Sequence, residues 1–192
     1  MSEKFYQLKE SLEKEYKWLL THYPLSRGTE TFLHVFYEGE EQEEEEYVEI
    51  NGFASYKFIQ KKMEIDILLL LDMKKRFDDH DHQVMKKYGI REDYDLYFWM
   101  LYHEYGHVLD MCRIRRKSGL RILKKQMSDY GKHTHRIHQK MDVGVLTQEE
   151  GDRLYRELEH EKKADRFANA IYKKKKSDIK NYIENMNKGG ES

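Results

Sequence analysis

Residues 93–111, DYDLYFWMLYHEYGHVLDM, constrain the fold of this chain more than any other segment. Apolar residues recur there at every third or fourth position, which is the spacing of one face of an α-helix. Two histidines lie on that face, one helical turn apart. The face as a whole consists of Leu96, Trp99, Met100, His103, His107 and Met111. Any fold that buries this helix face must also bury two imidazole rings.

The same segment contains the motif His103-Glu104-Tyr105-Gly106-His107. Two imidazoles one turn apart can bind a single metal ion, and Glu104 is placed to take a proton from a water at that ion. The alternative is that both histidines are core residues hydrogen-bonded to polar neighbours. The motif alone leaves both interpretations open.

A second helix is predicted over 147–175, beginning with a capping box in which Thr147 is the N-cap and Glu150 follows three residues later. One face of this helix carries Leu154, Leu158, Glu161, Asp165, Ala168 and Tyr172. Two carboxylates within an apolar face are costly unless a cation or hydrogen-bond donors compensate them. Glu161 can serve as the third ligand of a zinc ion that keeps a fourth position for water, and Asp165 can orient a ligating histidine. The alternatives are a face that widens to solvent and a structural Arg or Lys partner.

The two elements together, HEYGH at 103–107 and EKKADRFA at 161–168, resemble the zinc metallopeptidases with a glutamate third ligand, and most closely the ImmA/IrrE-like group. The resemblance implies a zincin-like fold and an intracellular peptidase, several members of the group acting on transcriptional repressors. It implies that His103, His107 and Glu161 bind one zinc ion, that Glu104 is the catalytic base, and that Asp165 supports a ligand. The matching region covers about 75 residues.

The chain departs from that pattern between the two elements, where the segment 108–160 indicates an inserted helix or loop. This insertion contains further polar candidates that could donate a hydrogen bond to a developing oxyanion. They are His133, His135, Arg136 and His138. The alternative is a solvated polar turn after Gly131. His160 and Glu157 border Glu161 and could substitute as ligands, but both lie off the face that carries Asp165 and are interpreted as surface residues.

The N-terminal half predicts strands and the C-terminal half predicts helices, so the fold class is α+β. We expect an amphipathic helix over the first twenty residues, then strands at 29–37, 47–50, 55–60 and 63–71 in a mostly antiparallel sheet, with an acidic loop at 38–46. Helices are expected at 72–88, 93–115, 118–130, 147–175 and 177–187. The chain is read as a single domain over 1–192, and 63–71 is the candidate edge strand for binding an extended substrate.

Composition excludes several other functions. Lys and Arg number 35 and Asp and Glu 36, so no overall basic field attracts nucleic acid, and binding would need a local patch. The single cysteine, Cys112, excludes an internal disulfide and any thiolate metal cluster. Neither a signal peptide nor a membrane-spanning run is present, so we expect a soluble, cytoplasmic protein with no membrane partner.

The sequence therefore predicts a zinc-dependent metallopeptidase that hydrolyses a peptide bond in a protein or peptide substrate, with regulatory, repressor-type proteins as candidates. The competing hypothesis is a metal-binding module that recognises a partner without cleaving it. A helical protein without a metal is the third. Manganese, iron or cobalt would suit such ligands as well as zinc, and the oligomeric state is left open.

Overall fold

One helix and three strands precede a set of helices, so the α+β prediction is confirmed. The computed structural model describes residues 3–37, 52–59, 62–71, 79–90 and 93–188. The elements are α1 (Glu3–His22), β1 (Thr29–Tyr37), β2 (Gly52–Ile59), β3 (Lys62–Leu71), α2 (Asp79–Tyr88), α3 (Asp93–Asp142), α4 (Gln148–Arg156) and α5 (Glu159–Lys188). The predicted strand at 47–50, the acidic loop at 38–46 and the predicted helical residues 72–78 lie outside the described residues.

The three described strands form a mixed sheet in the order β1-β3-β2. β1 pairs with β3 in parallel, and β2 pairs with β3 in antiparallel orientation. The prediction of a mostly antiparallel sheet is therefore wrong. The short connection between β2 and β3 makes a hairpin, whereas the long connection after β1 lets that strand join the opposite side of β3 in the same direction.

β3 is the central strand, and its alternate residues Met63, Ile65, Ile67, Leu69 and Leu71 are completely buried. The prediction that 63–71 is an edge strand is wrong for this reason. The wholly apolar run at its end is the pattern of a strand covered on both faces. β1 and β2 take the two edge positions among the described strands.

The helices differ from their predicted bounds in two places. α3 passes through 115–142 as one element whose only non-helical residue is Gly119, with φ 78° and ψ 169°. The predicted helix 147–175 is instead divided between α4 and α5, and α5 continues through the predicted 177–187 helix. This break turns Leu154 away from the apolar face assigned to it, and the residue is 39% exposed.

α1 is held against α3 and α5 by a buried acid. Glu15 is 1% exposed and accepts hydrogen bonds from the hydroxyls of Tyr102 (3.0 Å) and Tyr182 (3.3 Å). The Nζ atom of Lys175 lies 3.2 Å from the Glu15 carboxylate. Glu15 on α1 therefore joins three helices, because α3 supplies one of its donors and α5 supplies the other two. None of the described helices combines the length and the apolar character needed to cross a bilayer.

We predict that Lys175→Met lowers the free energy of unfolding by about 3 kcal/mol, because it leaves the buried Glu15 carboxylate without its cation. Urea denaturation measures this difference. Lys173→Met is the matched control, since Lys173 is exposed on the same helix and its loss should change stability by less than about 0.5 kcal/mol. Equal losses in the two variants would contradict the role given to the ion pair.

Candidate metal centre

The centre forms where α3 and α5 approach most closely, at Gly106 and Ala164. A Cβ atom added to Gly106 would lie 3.0 Å from the Cα atom and 3.3 Å from the carbonyl oxygen of Ala164. Only a residue without a side chain fits there, opposite a residue with a minimal one. The glycine within HEYGH and the alanine within EKKAD thus let the two backbones meet, and they bring the motif histidines beside the acids of α5.

Three predicted ligands converge at this crossing. The Nε2 atoms of His103 and His107 lie 3.1 Å apart. Glu161 places Oε2 3.2 Å from His103 Nε2 and Oε1 3.4 Å from His107 Nε2. One potential ligand atom from each residue lies within 4.8 Å of the others, and this is the one group among the described residues that could hold a metal ion.

These separations suit a tetrahedral divalent ion. Ligands about 2.0–2.1 Å from a zinc ion lie about 3.3 Å from one another, close to the three distances above. The Oε2 atom of Glu161 is also buried without a hydrogen bond from any described residue. A buried carboxylate oxygen without a donor is costly unless a cation lies beside it. The donor set of two imidazoles and a carboxylate therefore fits zinc.

Asp165 lies on the far side of His103, as predicted for a residue that orients a ligand. Its Oδ1 atom is 3.0 Å from His103 Nδ1, although the pair lacks the alignment of a hydrogen bond. The same carboxylate accepts hydrogen bonds from the Tyr88 hydroxyl (2.6 Å) and from Arg156 Nη1 (3.2 Å). Asp165 is thus fixed by two other groups with its carboxylate facing the imidazole, at a position from which it can accept the Nδ1–H of a ligating His103.

Arg156 is the cationic partner that one sequence alternative requires. Besides Asp165, its Nη1 atom lies 3.6 Å from Glu161 Oε2. That distance is too long for a hydrogen bond, but a guanidinium there offsets part of the charge of two buried acids. Lys87 Nζ lies 3.7 Å from Asp165 Oδ2 as a second cation for that acid. Glu161 therefore shares Arg156 with Asp165, and the guanidinium offsets its charge only in part.

The charges in this cluster shift the acidities of its members. Burial disfavours a charged His103, but Asp165 and Glu161 outweigh that effect and raise the pKa of His103 to about 9. Burial likewise opposes ionisation of Glu161, and contacts with His103, His107 and His160 nevertheless hold its pKa far below the usual range. The pKa of Asp165 is lowered despite burial, mainly by His103 and Arg156. Both acids are therefore anionic at neutral pH and available to a cation.

Glu104 lines a cleft of about 290 Å³ together with two of the three predicted ligands, His107 and Glu161. One wall of the cleft is apolar and comes from both sides of the Gly119 kink, with Met111 and Ile114 before it and Met127 after it. The edge strand β2 contributes Ala54 and Tyr56 to the lining. The cleft therefore borders both an edge strand and the candidate base, Glu104.

The cleft also contains residues that the sequence prediction missed. Tyr155 and His160 line it next to Glu161, and His160 Nε2 lies 3.3 Å from Glu161 Oε1. The ring of His160 stacks on Tyr130, with centroids 4.1 Å apart, so its interpretation as a surface residue is wrong. Burial, together with the nearby Glu161 charge, raises the pKa of Tyr155. The sequence prediction treated 147–175 as one continuous helix, so neither residue was expected at the cleft. The break before α5 turns both of them inward.

The four residues proposed as oxyanion donors do not lie at this site. His133, His135, Arg136 and His138 are exposed on α3, and none of them lines the cleft. The segment is helical rather than a turn after Gly131. Its helical period directs Thr134 toward the cleft and the four polar side chains to solvent. Glu157 is also exposed, and it pairs with Lys162.

No protein-family model, curated protein or solved structure matches this chain. The resemblance to ImmA/IrrE-like metallopeptidases therefore stays a prediction that rests on the two motifs.

We predict that Gly106→Ala weakens zinc binding and lowers the free energy of unfolding by about 1–3 kcal/mol, because the added methyl forces α3 and α5 apart. Isothermal titration with zinc and urea denaturation measure the two effects. Gly131→Ala is the control, since this glycine is inside the same helix with nothing within 4 Å of its Cβ position. That variant should bind zinc normally and be equally stable, or more stable by about 0.5–1 kcal/mol. Normal zinc affinity in Gly106→Ala would refute the importance of the close approach.

Zinc binding is predicted to release about one proton from His103 at pH 7.5, since a metal ligand must be neutral. The pKa of His103 is raised from 6.5 to about 9. In the metal-free protein, the charged imidazole therefore stabilises the fold fully below pH 6.5, and this contribution is lost as the pH rises through 9. Accordingly, the zinc dissociation constant should fall about tenfold per pH unit between pH 7 and 8.5. Calorimetry in buffers of different ionisation enthalpy measures the proton release, and a pH-independent affinity would contradict it.

Proposed function

We propose that this protein is a zinc-dependent metallopeptidase of the glutamate-ligand, ImmA/IrrE-like type, which hydrolyses a peptide bond in a protein substrate. The observation that carries the proposal is the convergence of His103, His107 and Glu161 beside a cleft that Glu104 lines. Zincin-like architecture and a cytoplasmic location belong to the same proposal. A reducing compartment suits the single free cysteine, Cys112.

The chemistry divides between the ion and the chain. A bound zinc ion would lower the pKa of water toward about 7 and polarise the scissile carbonyl. Glu104 removes a proton from the attacking water and returns it to the leaving nitrogen, so its carboxylate acts first as base and then as acid. His103 and His107 hold the ion, and Asp165 keeps the His103 ring oriented.

Tyr155 takes the role of oxyanion donor in this proposal. Its hydroxyl is protonated at neutral pH even at the ordinary tyrosine pKa of about 10, which burial raises further, and the residue lines the cleft next to Glu161. A neutral donor at this position can stabilise the negative charge that develops on the carbonyl oxygen. His160, stacked on Tyr130, is the second polar group on that wall.

The shape of the cleft favours an extended substrate with an apolar side chain near the cleaved bond. β2 is the edge strand of the described sheet that lines the cleft, through Ala54 and Tyr56, so a peptide can pair with it along the backbone. The apolar wall formed by Met111, Ile114 and Met127 would receive the side chain. A regulatory protein of the repressor type is the finer substrate proposal, and it rests on the resemblance alone.

One observation favours the competing function, a metal-binding recognition module without activity. Arg156 lies 3.6 Å from the Glu161 carboxylate, and a guanidinium there repels a second cation and competes for the same acid. Such a site would hold a metal less tightly than two imidazoles and an uncontested carboxylate. Metal content alone does not separate the two functions, because both include the ion.

We predict that Glu104→Gln retains about one metal ion per chain and loses peptide hydrolysis by at least about 100-fold, since the amide cannot accept the proton. Elemental analysis of protein purified without chelator measures the metal. Cleavage of a quenched-fluorescence peptide library rich in Leu, Ile and Phe, and of candidate repressor proteins, measures activity.

Glu184→Gln is the matched control, because Glu184 is an exposed acid on α5 far along the chain from the motif, and it should cleave like wild type. Equal activity in Glu104→Gln and wild type would refute the base assignment. Metal-loaded wild-type protein that binds library peptides without cleaving any would support the recognition module. Protein that never acquires metal would exclude both functions.

A further inference from the structure

The outward side of α3 carries a dense positive charge in a chain of net charge −1. Residues 113–141 contain ten Lys and Arg residues and a single acid, Asp129. Neither the metal centre nor its cleft uses these cations, since the five residues of this segment that line the cleft are all uncharged.

Four of the cations form a line that we call the basic stripe: Arg121, Lys125, Lys132 and Arg136. Their spacings of four, seven and four residues place them on one face of the helix beyond the Gly119 kink. All four are exposed, and none pairs with an acid among the described residues. At 1.5 Å per residue the stripe is about 22 Å long. Lys117, Lys124 and Lys140 extend it on either side.

The opposite face of this helical segment is anchored to the protein. Leu123 is fully buried, and Met127 packs against the apolar core. Tyr130 stacks on His160. The helix therefore presents its cations from a fixed platform, and its apolar face is not free to enter a membrane.

We propose that the basic stripe binds the phosphate backbone of duplex nucleic acid. A row of unpaired long cations over about 22 Å matches a rod of closely spaced phosphates, and neutralising them releases condensed counterions. The positions between the cations on this face are short or polar, Ser128, His135 and Gln139 among them. A protein partner would need apolar or aromatic anchors, and a single strand would need stacking rings; this face offers neither Tyr nor Trp.

This binding surface revises the expectation that the protein has no direct contact with nucleic acid. That expectation follows from the balanced charge of the whole chain, and charge balance says nothing about where the charges lie. This helical segment carries a local excess of Lys and Arg, and acidic residues elsewhere in the chain balance that charge. The inference is independent of the metal centre, since the stripe and the cleft are on opposite faces of the same helical segment.

The test measures binding of a fluorescein-labelled 24-base-pair DNA duplex by fluorescence anisotropy, with the full chain in the presence of EDTA. The affinity of wild type should fall about 100-fold between 50 and 200 mM KCl, as expected for about four phosphate contacts. The stripe variant R121E/K125E/K132E/R136E should bind at least about tenfold more weakly at 150 mM KCl. At that salt, distant charges are screened over about 8 Å.

K17E/R27E/K173E/K180E is the matched control, because it reverses four exposed cations elsewhere and changes the net charge equally. It should bind within about twofold of wild type at 150 mM KCl. The glutamine version of the stripe variant should also weaken binding, and circular dichroism and urea denaturation check that each variant is folded. The same measurement with an RNA duplex shows whether the stripe prefers DNA or RNA, since both duplexes present rows of phosphate groups.

Three outcomes would overturn the proposal. One is a wild-type protein that does not bind either duplex at 50 mM KCl. Another is an equal loss of affinity in the stripe and control variants, which would indicate a response to net charge. The third is displacement of the duplex by polyglutamate at equal or lower charge concentration, which would assign the surface to an acidic protein.

Discussion

The contact between Gly106 and Ala164 is the constraint on which the candidate centre depends. Because no side chain separates the two backbones, α3 and α5 lie close enough for Glu161 and Asp165 to reach His103. A crossing with ordinary side chains would hold the helix axes about 8–10 Å apart or more and would leave the acids short of the imidazoles. The small residues in both motifs thus allow the two helices to approach closely. Only this approach brings the polar side chains near enough to form one site.

The close crossing creates an electrostatic problem that the surrounding residues partly solve. Two ionised acids are buried beside the guanidinium of Arg156, the ammonium of Lys87 at 3.7 Å from Asp165, and the imidazole of His103, whose pKa is raised. In the metal-free protein a proton on His103 supplies the missing positive charge. A divalent ion would replace that proton, so the same cluster is compatible with both states. Proton and metal are alternatives at one site, and this explains how a costly group of buried acids can exist before an ion arrives.

Much of the centre could be predicted because helical periodicity is a local property. The spacing of His103 and His107, and of Glu161 and Asp165, follows from 3.6 residues per turn, and both pairs do face each other. The sheet order could not be predicted, because strand pairing depends on long-range packing and on connections that carry little pattern. Tyr155 and His160 were missed because their inward orientation follows from a helix break, and no proline or glycine marks that break. Gly131 shows the opposite error, since an isolated glycine does not by itself end a helix.

Because α3 bends at Gly119, the position of its second part depends on the backbone angles at that residue. This glycine has φ 78°, a conformation that other residues rarely adopt, and it lies between the two parts of the apolar cleft wall, Ile114 before the kink and Met127 after it. Tyr130 lies eleven residues beyond the pivot, or about 16 Å along the helix. A rotation of about 10° at the pivot would therefore displace Tyr130 by nearly 3 Å, about the width of a water molecule. The width of the cleft thus depends on two dihedral angles at a residue that does not line it, and the buried Leu123 and the stacked Tyr130 hold the helix beyond the kink in place.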